Sequence, residues 1–247
     1  MGDFRLAQVS ILHHIKGLTQ QEIAGKLGYS KMTVSRMLQR ARESGVVETS
    51  VSLPYKIDQD LSERLRVAYD LQRVLVIDTE DMPGPSNRIG AVCAFELGVS
   101  ISDGDTIGVG IGQTIGSMVE AVQQMRMQDV HIVQLMGGYT EVSEDNPLNI
   151  VQVLCQKLGA TGSYIALSAY LESAKAKRVL FDDSALGREI MRRWSQCSKA
   201  LFGIGSVKAG STLAARYGGR TSSEPQRAVG EILGHYFAAD GTFLAAP

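Results

Sequence analysis

"GLTQQEIAGKLGYSKMTVSRMLQRA", residues 17–41, declares two helix starts within a dozen residues. Thr19 followed three residues later by Glu22 is a capping box, in which each side chain satisfies a backbone N–H at a helix N-terminus, and Ser30 supplies a second N-cap ahead of "KMTVSRMLQRARE". Between them "LGYS" turns the chain, because Gly28 tolerates the left-handed backbone that ends a helix. Ile23, Ala24 and Leu27 form the inward stripe of the first helix, and Val34, Met37 and Leu38 that of the second. Ala24 is sterically decisive, since a larger residue there would hold the two helices apart. The outward face of the second helix carries Lys31, Thr33, Ser35, Arg36, Gln39 and Arg40. These are hydrogen-bond donors and positive charges rather than the Glu/Lys mixture of a merely solvated surface.

This pattern resembles the bacterial helix-turn-helix of DNA-binding proteins. A recognition helix lies in the major groove with its N-terminal residues at base edges, which makes Arg36 the candidate for a guanine and Gln39 for an adenine. Thr19, Gln20 and Arg40 are placed at phosphates, with Ser30 at the head of the recognition helix. "ESGVVETSVSL" (43–53) is read as a short β-strand or wing closed by Pro54, giving an N-terminal all-α helix-turn-helix domain over residues 1–53. Charge agrees with this placement: residues 1–53 carry net +3 and the remainder −4.

Residues 54–72 read as a linker and an amphipathic helix, with Leu61, Leu65, Ala68 and Leu71 on one side, suited to docking on its own domain or on a copy of itself. From residue 73 short apolar runs alternate with helical segments. The runs are "RVLVID" (73–78), "TIGVGI" (106–111), "VHIVQLMG" (130–137), "SYIALSA" (163–169) and "KALFGIGSV" (199–207). Such alternation predicts an α/β, Rossmann-like domain over 73–247, a parallel sheet covered on both faces. Ligands then bind beyond the carboxyl ends of the strands.

The loop "DGDTIGVGIGQTIGSM" (103–118) fits neither G-x-G-x-x-G nor a P-loop, so nucleotide binding is unsupported. What it offers is a strand, a glycine turn at Gly110–Gly112 and a helix opening near Thr114, which aims free N–H groups at a small anion. Gly137, Gly138, Ser168, Gly205 and Ser206 stand at other strand ends, and "AVGEILGHYFAADG" (228–241), readable as helix or strand, offers Glu231 and Asp240 as acceptors for sugar hydroxyls.

The three cysteines and four histidines are scattered without metal-ligand spacing, so reduced, buried thiols and packing or surface histidines are expected, with no metal and no cofactor. Trp194 reads as core packing beside a solvated basic face. The N-terminus lacks the pattern of a secretion signal and no apolar run reaches the roughly 20 residues of a membrane span. A cytoplasmic protein with no membrane partner is expected.

Taken in order, "GLTQQEIAGKLGYSKMTVSRMLQRARESGVV", "GDTIGVGIGQT", "LMGG", "FGIGS" and "VGEILGHYFAADG" resemble the SorC/DeoR-type sugar-responsive transcriptional regulators of bacteria over nearly the whole chain. The resemblance implies an effector domain of the sugar-phosphate isomerase type, a phosphorylated sugar or polyol as effector, operator DNA as partner, and assembly into homodimers or homotetramers. It places Gly112, Gln113 and Thr114 on the phosphate loop and Glu231 at the hydroxyl-binding position. Two departures stand out. Gln113 occupies a position that is often basic in the family, and the family continues past "FAADGTFLAAP" through a further strand and helix, so the effector domain is expected to be C-terminally truncated. The competing expectations are a sugar-phosphate isomerase or aldolase, against which no lysine, cysteine or histidine sits in the glycine loops as nucleophile or base, and a DNA-binding protein that senses nothing.

Overall fold

A computed structural model describes residues 2–48, 55–79, 84–138, 146–165, 167–169, 171, 173–207 and 225–244. Its contacts divide the chain into two compact units, Met1–Asp78 and Thr79–Pro247.

The first unit opens with α1 (Gly2–Ser10), which runs into a π-helical turn (Ile11–Ile15), followed by α2 (Gln20–Leu27) and α3 (Lys31–Glu43). Val9, Ile23, Ala24, Val34 and Leu38 form its core, all at most 4% exposed, with Leu27 and Met37 packed against them. The reciprocal capping box of Thr19 and Glu22 is present, and Gly28 closes α2 at φ 70°, its N–H bonded to the Ala24 carbonyl. Ser30 caps α3 by accepting from the Thr33 N–H at 3.0 Å. The expected wing is not formed where the chain is described: 44–48 is turn and bend, the Val47 N–H returning to the Ala41 carbonyl, while Val51, Leu53 and Pro54 lie outside the described residues.

α4 (Gln59–Ala68) starts at Asp58, whose carboxylate accepts from the Leu61 N–H at 2.9 Å. Its apolar side is only half covered, with Leu61 and Leu65 partly buried and Ala68 and Leu71 exposed. The run 73–78, expected as the first strand of the parallel sheet, forms a single antiparallel bridge instead, Ile57 to Ile77. The reason is local: the Val76 N–H is taken by Ser62 Oγ and its carbonyl by the Asp58 N–H, so the amides of this run are spent on the segment around α4.

In the second unit, α5 (Pro85–Ser100) precedes β1 (Thr106–Val109), α6 (Gln113–Ala121), β2 (His131–Gln134), α7 (Pro147–Leu158), β3 (Thr161–Ser163), α8 (Ala174–Phe181), α9 (Ala185–Ser195) and β4 (Lys199–Leu201). The four strands are parallel in the order β3-β2-β1-β4. Ile107, Val109 and Ile132 pack with Ala94 and Leu97 of α5, Ile115, Met118 and Val119 of α6, and Ile150, Val151 and Leu154 of α7. α5 and α6 approach closely because Gly90 has no side chain: a Cβ there would lie 2.7 Å from the Met118 backbone nitrogen. His131, on the alternate face of β2, sits near Arg192 and Arg193 of α9 and bridges Thr161 Oγ1 and Ser163 Oγ of β3, both at 2.8 Å. Burial and then Arg193 and Arg192 hold its pKa below the usual histidine value.

All four strands of the sheet are shorter than the apolar runs that announced them: β1 ends at Val109 rather than at 111, and β2 spans His131–Gln134 rather than 130–137. β3 lies at 161–163 rather than 163–169, since α7 ends at Gly159 (φ 66°) and two residues later the chain is already paired to β2. β4 stops at Leu201 because Gly205 changes partner, exchanging both backbone hydrogen bonds with Glu231. The ambiguous 228–241 segment is a hairpin, β5 (Ala228–Ile232) and β6 (His235–Ala238), joined by Leu233 and Gly234 at positive φ (50° and 81°) as a two-residue turn requires. Cys93 is exposed and Cys155 and Cys197 are half-buried, so the thiols are free but not buried as expected. Among the described residues no helix is long and apolar enough to cross a membrane, and no His/Cys/Asp/Glu cluster could hold a metal.

At the amino edge of the sheet Asp105 is 9% exposed and clamps β1 to β4. Its carboxylate accepts from Lys199 Nζ at 2.6 Å, Ser198 Oγ at 2.7 Å and the Ser102 N–H at 2.8 Å. The Lys199 ammonium foremost, with these hydrogen bonds, holds the carboxyl at about 2, below its ordinary 3.8. A pKa depressed in the folded state contributes stability that is complete above the unfolded value and lost as pH falls toward the folded one. Urea midpoints measured between about pH 4.5 and 2 should therefore fall less steeply for Asp105→Asn than for the parent; parallel curves would assign the acid loss elsewhere.

Candidate functional sites

In the first unit α3 presents Lys31, Thr33, Ser35, Arg36, Gln39 and Arg40 together, all exposed, while Val34, Leu38 and Ala41 are buried on the other side. Thr19 is exposed and Gln20 partly so at the start of α2. Four of the expected DNA contacts already have local partners: Thr19 is held by Glu22, Ser30 Oγ and Thr33 Oγ1 lie 2.8 Å apart, and Gln39 Nε2 donates to Glu43 Oε1 at 2.8 Å. Gln39 must give up that bond before it can read a base. Met32, 65% exposed in the first turn of α3, was given no role from the sequence, since it lies outside both the buried stripe and the polar, donor-bearing face. A flexible apolar side chain there suits a thymine methyl.

In the second unit the strand-end candidates converge on the carboxyl edge of the sheet. The β1 exit runs through Gly110, whose N–H continues the ladder to the Leu201 carbonyl at 2.8 Å, to Gly112, which caps α6 with φ 131° and ψ 163°. That backbone geometry needs glycine, and it leaves the first turn of α6, with Gln113 exposed and Thr114 partly so, without a side-chain cap. The contrast with α2, α3, α4, α7, α8 and α9 is direct, since each of those has a capping side chain. α5, with Gly84 as its N-cap, likewise has no capping side chain, so the α6 opening shares with it first-turn N–H groups that no cap side chain takes up.

The hairpin turn closes one side of this edge. Leu233 Cδ2 occupies the space 2.6 Å from where a Gly110 Cβ would stand, and Glu231, 4% exposed, is carried to Gly205 by the bridge described above. On the other side of β1, Gly138 and Ser168 form a parallel bridge. A Cβ on Gly137 would lie 2.4 Å from the Ser168 carbonyl oxygen, whereas Gly138 has open space beside it. Gly110 and Gly137 are therefore packing glycines, whereas a Cβ on Gly112 or Gly138 meets nothing within 4 Å among the described residues and one on Gly205 meets only ordinary contacts. Ser206 is exposed beyond Gly205. Asp240 is not brought to Glu231: it lies past the Ala228–Ala238 end of the hairpin, where its carboxylate accepts from the Thr242 N–H at 3.0 Å as a turn acceptor. Gln134, which the sequence reading passed over as part of an apolar run, is buried at the same edge. Trp194 is half-buried, its indole stacked on Phe181 and bonded to the Gln134 carbonyl, and the basic face of α9 is Arg192 and Arg193 paired with Glu189.

Residues 54–247 match the family model described as "Putative sugar-binding domain", and residues 6–44 match that of sigma-70 region 4. The chain is 28% identical over 242 residues, 95% of its length and 77% of the relative's, to the deoxyribonucleoside regulator of Bacillus subtilis. It is 26% identical to the erythritol catabolism regulatory protein EryD of Brucella abortus, over 94% of this chain and 76% of that one. The crystal structure of the full-length sorbitol operon regulator SorC from Klebsiella pneumoniae superposes with TM-score 0.66 at 24% identity, over 98% and 80% of the two chains. With an N-terminal helix-turn-helix ahead of an α/β unit whose matched residues make up more than half its length, the chain belongs to the sugar-binding-domain family of SorC/DeoR-type transcriptional regulators.

Proposed function

We propose that this regulator binds operator DNA through α3 and releases or tightens it when a phosphorylated sugar or polyol occupies the carboxyl edge of the sheet. The observation that carries the reading is the exposed face of α3, where six donor-rich side chains stand together on a helix fixed by a buried alanine crossing. The strand order β3-β2-β1-β4 supports a Rossmann-like effector fold of the sugar-phosphate isomerase type, in which β1 and β4 flank the point where the order reverses. That edge supports the effector reading, as do relatives named as a deoxyribonucleoside regulator, an erythritol catabolism regulatory protein and a sorbitol operon regulator.

The chain works as a regulator rather than an enzyme, in the cytoplasm, as a homodimer or homotetramer, with residues 1–53 on DNA, 54–72 as connector and 73–247 as sensor. Gly112, Gln113 and Thr114 hold the phosphate; Gly138, Ser168, Ser206 and Glu231 face the hydroxyls. Coupling of about 1–3 kcal/mol between sensor and DNA is enough for a 5- to 150-fold change in operator affinity.

Fluorescence anisotropy with duplexes from upstream of its own gene tests the DNA half. Arg36→Ala should cost about 1–3 kcal/mol on the preferred sequence and little on others, relaxing specificity. Arg40→Ala should weaken all sequences alike and flatten the slope of log K against log salt by about 0.9, the loss of one phosphate contact. Identical behaviour of the two variants contradicts the division of roles, and no binding by the intact oligomer at low salt removes the reading.

A further inference from the structure

Gln134 ends β2 and is 2% exposed, yet it carries a primary amide among apolar neighbours. Both ends of that amide are used. Nε2 donates to the Met136 carbonyl, and Oε1 accepts from the Ile165 N–H, 3.1 Å away in the segment leaving β3. The main-chain carbonyl of the same residue accepts from Trp194 Nε1 at 2.9 Å. A single residue thus joins the β2 exit, the β3 exit and α9.

Its place in the ladder explains why an amide is needed. β2 and β3 pair up to Val133 and Ser163 and pair again only at Gly138 and Ser168. Between these points, among the described residues, no ladder hydrogen bond joins the two exits. The Gln134 side chain spans the gap, giving the Met136 carbonyl a donor and the Ile165 N–H an acceptor where the neighbouring strand no longer supplies either. An apolar side chain of equal size would fill the volume and satisfy neither group.

Resting on the effector reading above, we propose that Gln134 is a positioning residue of the sensor: without touching the ligand, its carboxamide sets where Gly138 and Ser168 stand, and hence the affinity for a phosphorylated polyol. Trp194, the only tryptophan of the chain, reports on it through the shared carbonyl.

The test uses the full chain, wild type beside Gln134→Leu and Gln134→Glu, titrated with ribose 5-phosphate, glucose 6-phosphate, sorbitol and erythritol and followed by Trp194 emission. Gln134→Leu should bind the probes that wild type binds at least tenfold more weakly while keeping a cooperative urea transition. In Gln134→Glu the ionised side chain can still accept from Ile165 but repels the Met136 carbonyl; once protonated it has the donor and acceptor of the native amide. Its deficit relative to wild type should therefore shrink between pH 8 and pH 5, which a role in general packing would not produce. A Leu variant with wild-type affinity, or a Glu deficit equal at both pH values, overturns the proposal. If wild type itself binds none of the probes, the effector reading fails with that panel, and amide exchange still decides the tie. The Gly138 and Ala169 N–H groups, bonded to the Leu167 and Gly138 carbonyls, should then exchange at least tenfold faster in Gln134→Leu with Ile132 unchanged. Equal rates sink it.

Discussion

Thr114→Asp is expected to abolish the response of operator binding to effector in a protein at least as stable as the parent. Position 114 is the second residue of α6, and the glycine cap at 112 offers no side-chain acceptor to the N–H groups of this turn. A carboxylate there takes up those donors itself and interacts favourably with the positive end of the helix, which stabilises by about 0.3–1 kcal/mol. The same charge stands where the phosphate is proposed to sit. Two like charges about 4 Å apart repel by roughly 1 kcal/mol in water and several times that in a partly dehydrated cleft, and the lost hydrogen bonds add to this. A fall in effector affinity of about a hundredfold or more follows. Anisotropy of labelled operator with and without effector, alongside a urea titration, reads both quantities. An undiminished response would take this loop out of the site, and a collapse in stability would mean that the turn is built differently.

The second large effect concerns two adjacent glycines that look equivalent in sequence. Gly137→Ala puts a methyl group 2.4 Å from the Ser168 carbonyl oxygen and 2.7 Å from the Ala169 nitrogen, both backbone atoms that cannot swing aside. The β2 and β3 exits must separate, at a cost of about 1–3 kcal/mol for forced overpacking, with the effector site distorted as they do so. Gly138→Ala meets nothing within 4 Å among the described residues. It should change the urea midpoint little and act, if at all, on effector binding alone. Similar midpoints for the two variants would show that the exit loops have more freedom than their packing implies.

Much of the DNA-binding half was legible in the residues because its determinants are local. The capping box at Thr19 and Glu22, the Ser30 cap and the left-handed Gly28 each act within four residues, and the buried stripe of Ile23, Ala24, Val34 and Leu38 repeats at helical spacing. The π-helical turn at 11–15 was not legible, since the i, i+5 bond from Lys16 to Ile11 leaves no mark on composition. Nor was the pairing of Gln39 with Glu43, which needs two rotamers to agree.

In the sensor half the alternation of apolar runs and helices pointed correctly to a parallel sheet, and the helix after the glycine turn, expected to open near Thr114, starts one residue earlier at Gln113. Apolar runs, however, measure burial and not pairing. That is why 73–78 read as a strand when its amides are bonded near α4, and why 163–169 read as a strand when only 161–163 pair along β2. Residues 228–241 carried both periods; they form a hairpin turned at Leu233 and Gly234, and the bridge from Glu231 to Gly205, which spans 26 positions, joins it to the β4 exit.

What the chain determines by itself is where helices begin and end, which faces are buried and which side chains of α3 are left outside, because these depend on neighbours a few residues away. What only tertiary structure decided is which strand-end residues share one edge: that Glu231 reaches Gly205 while Asp240 stays in its turn, that Gly137 is a contact and Gly138 an opening, and that Gln134 spans a gap between strands. Those outcomes depend on hydrogen bonds and close approaches between segments far apart in the chain, and no periodicity along the sequence encodes them.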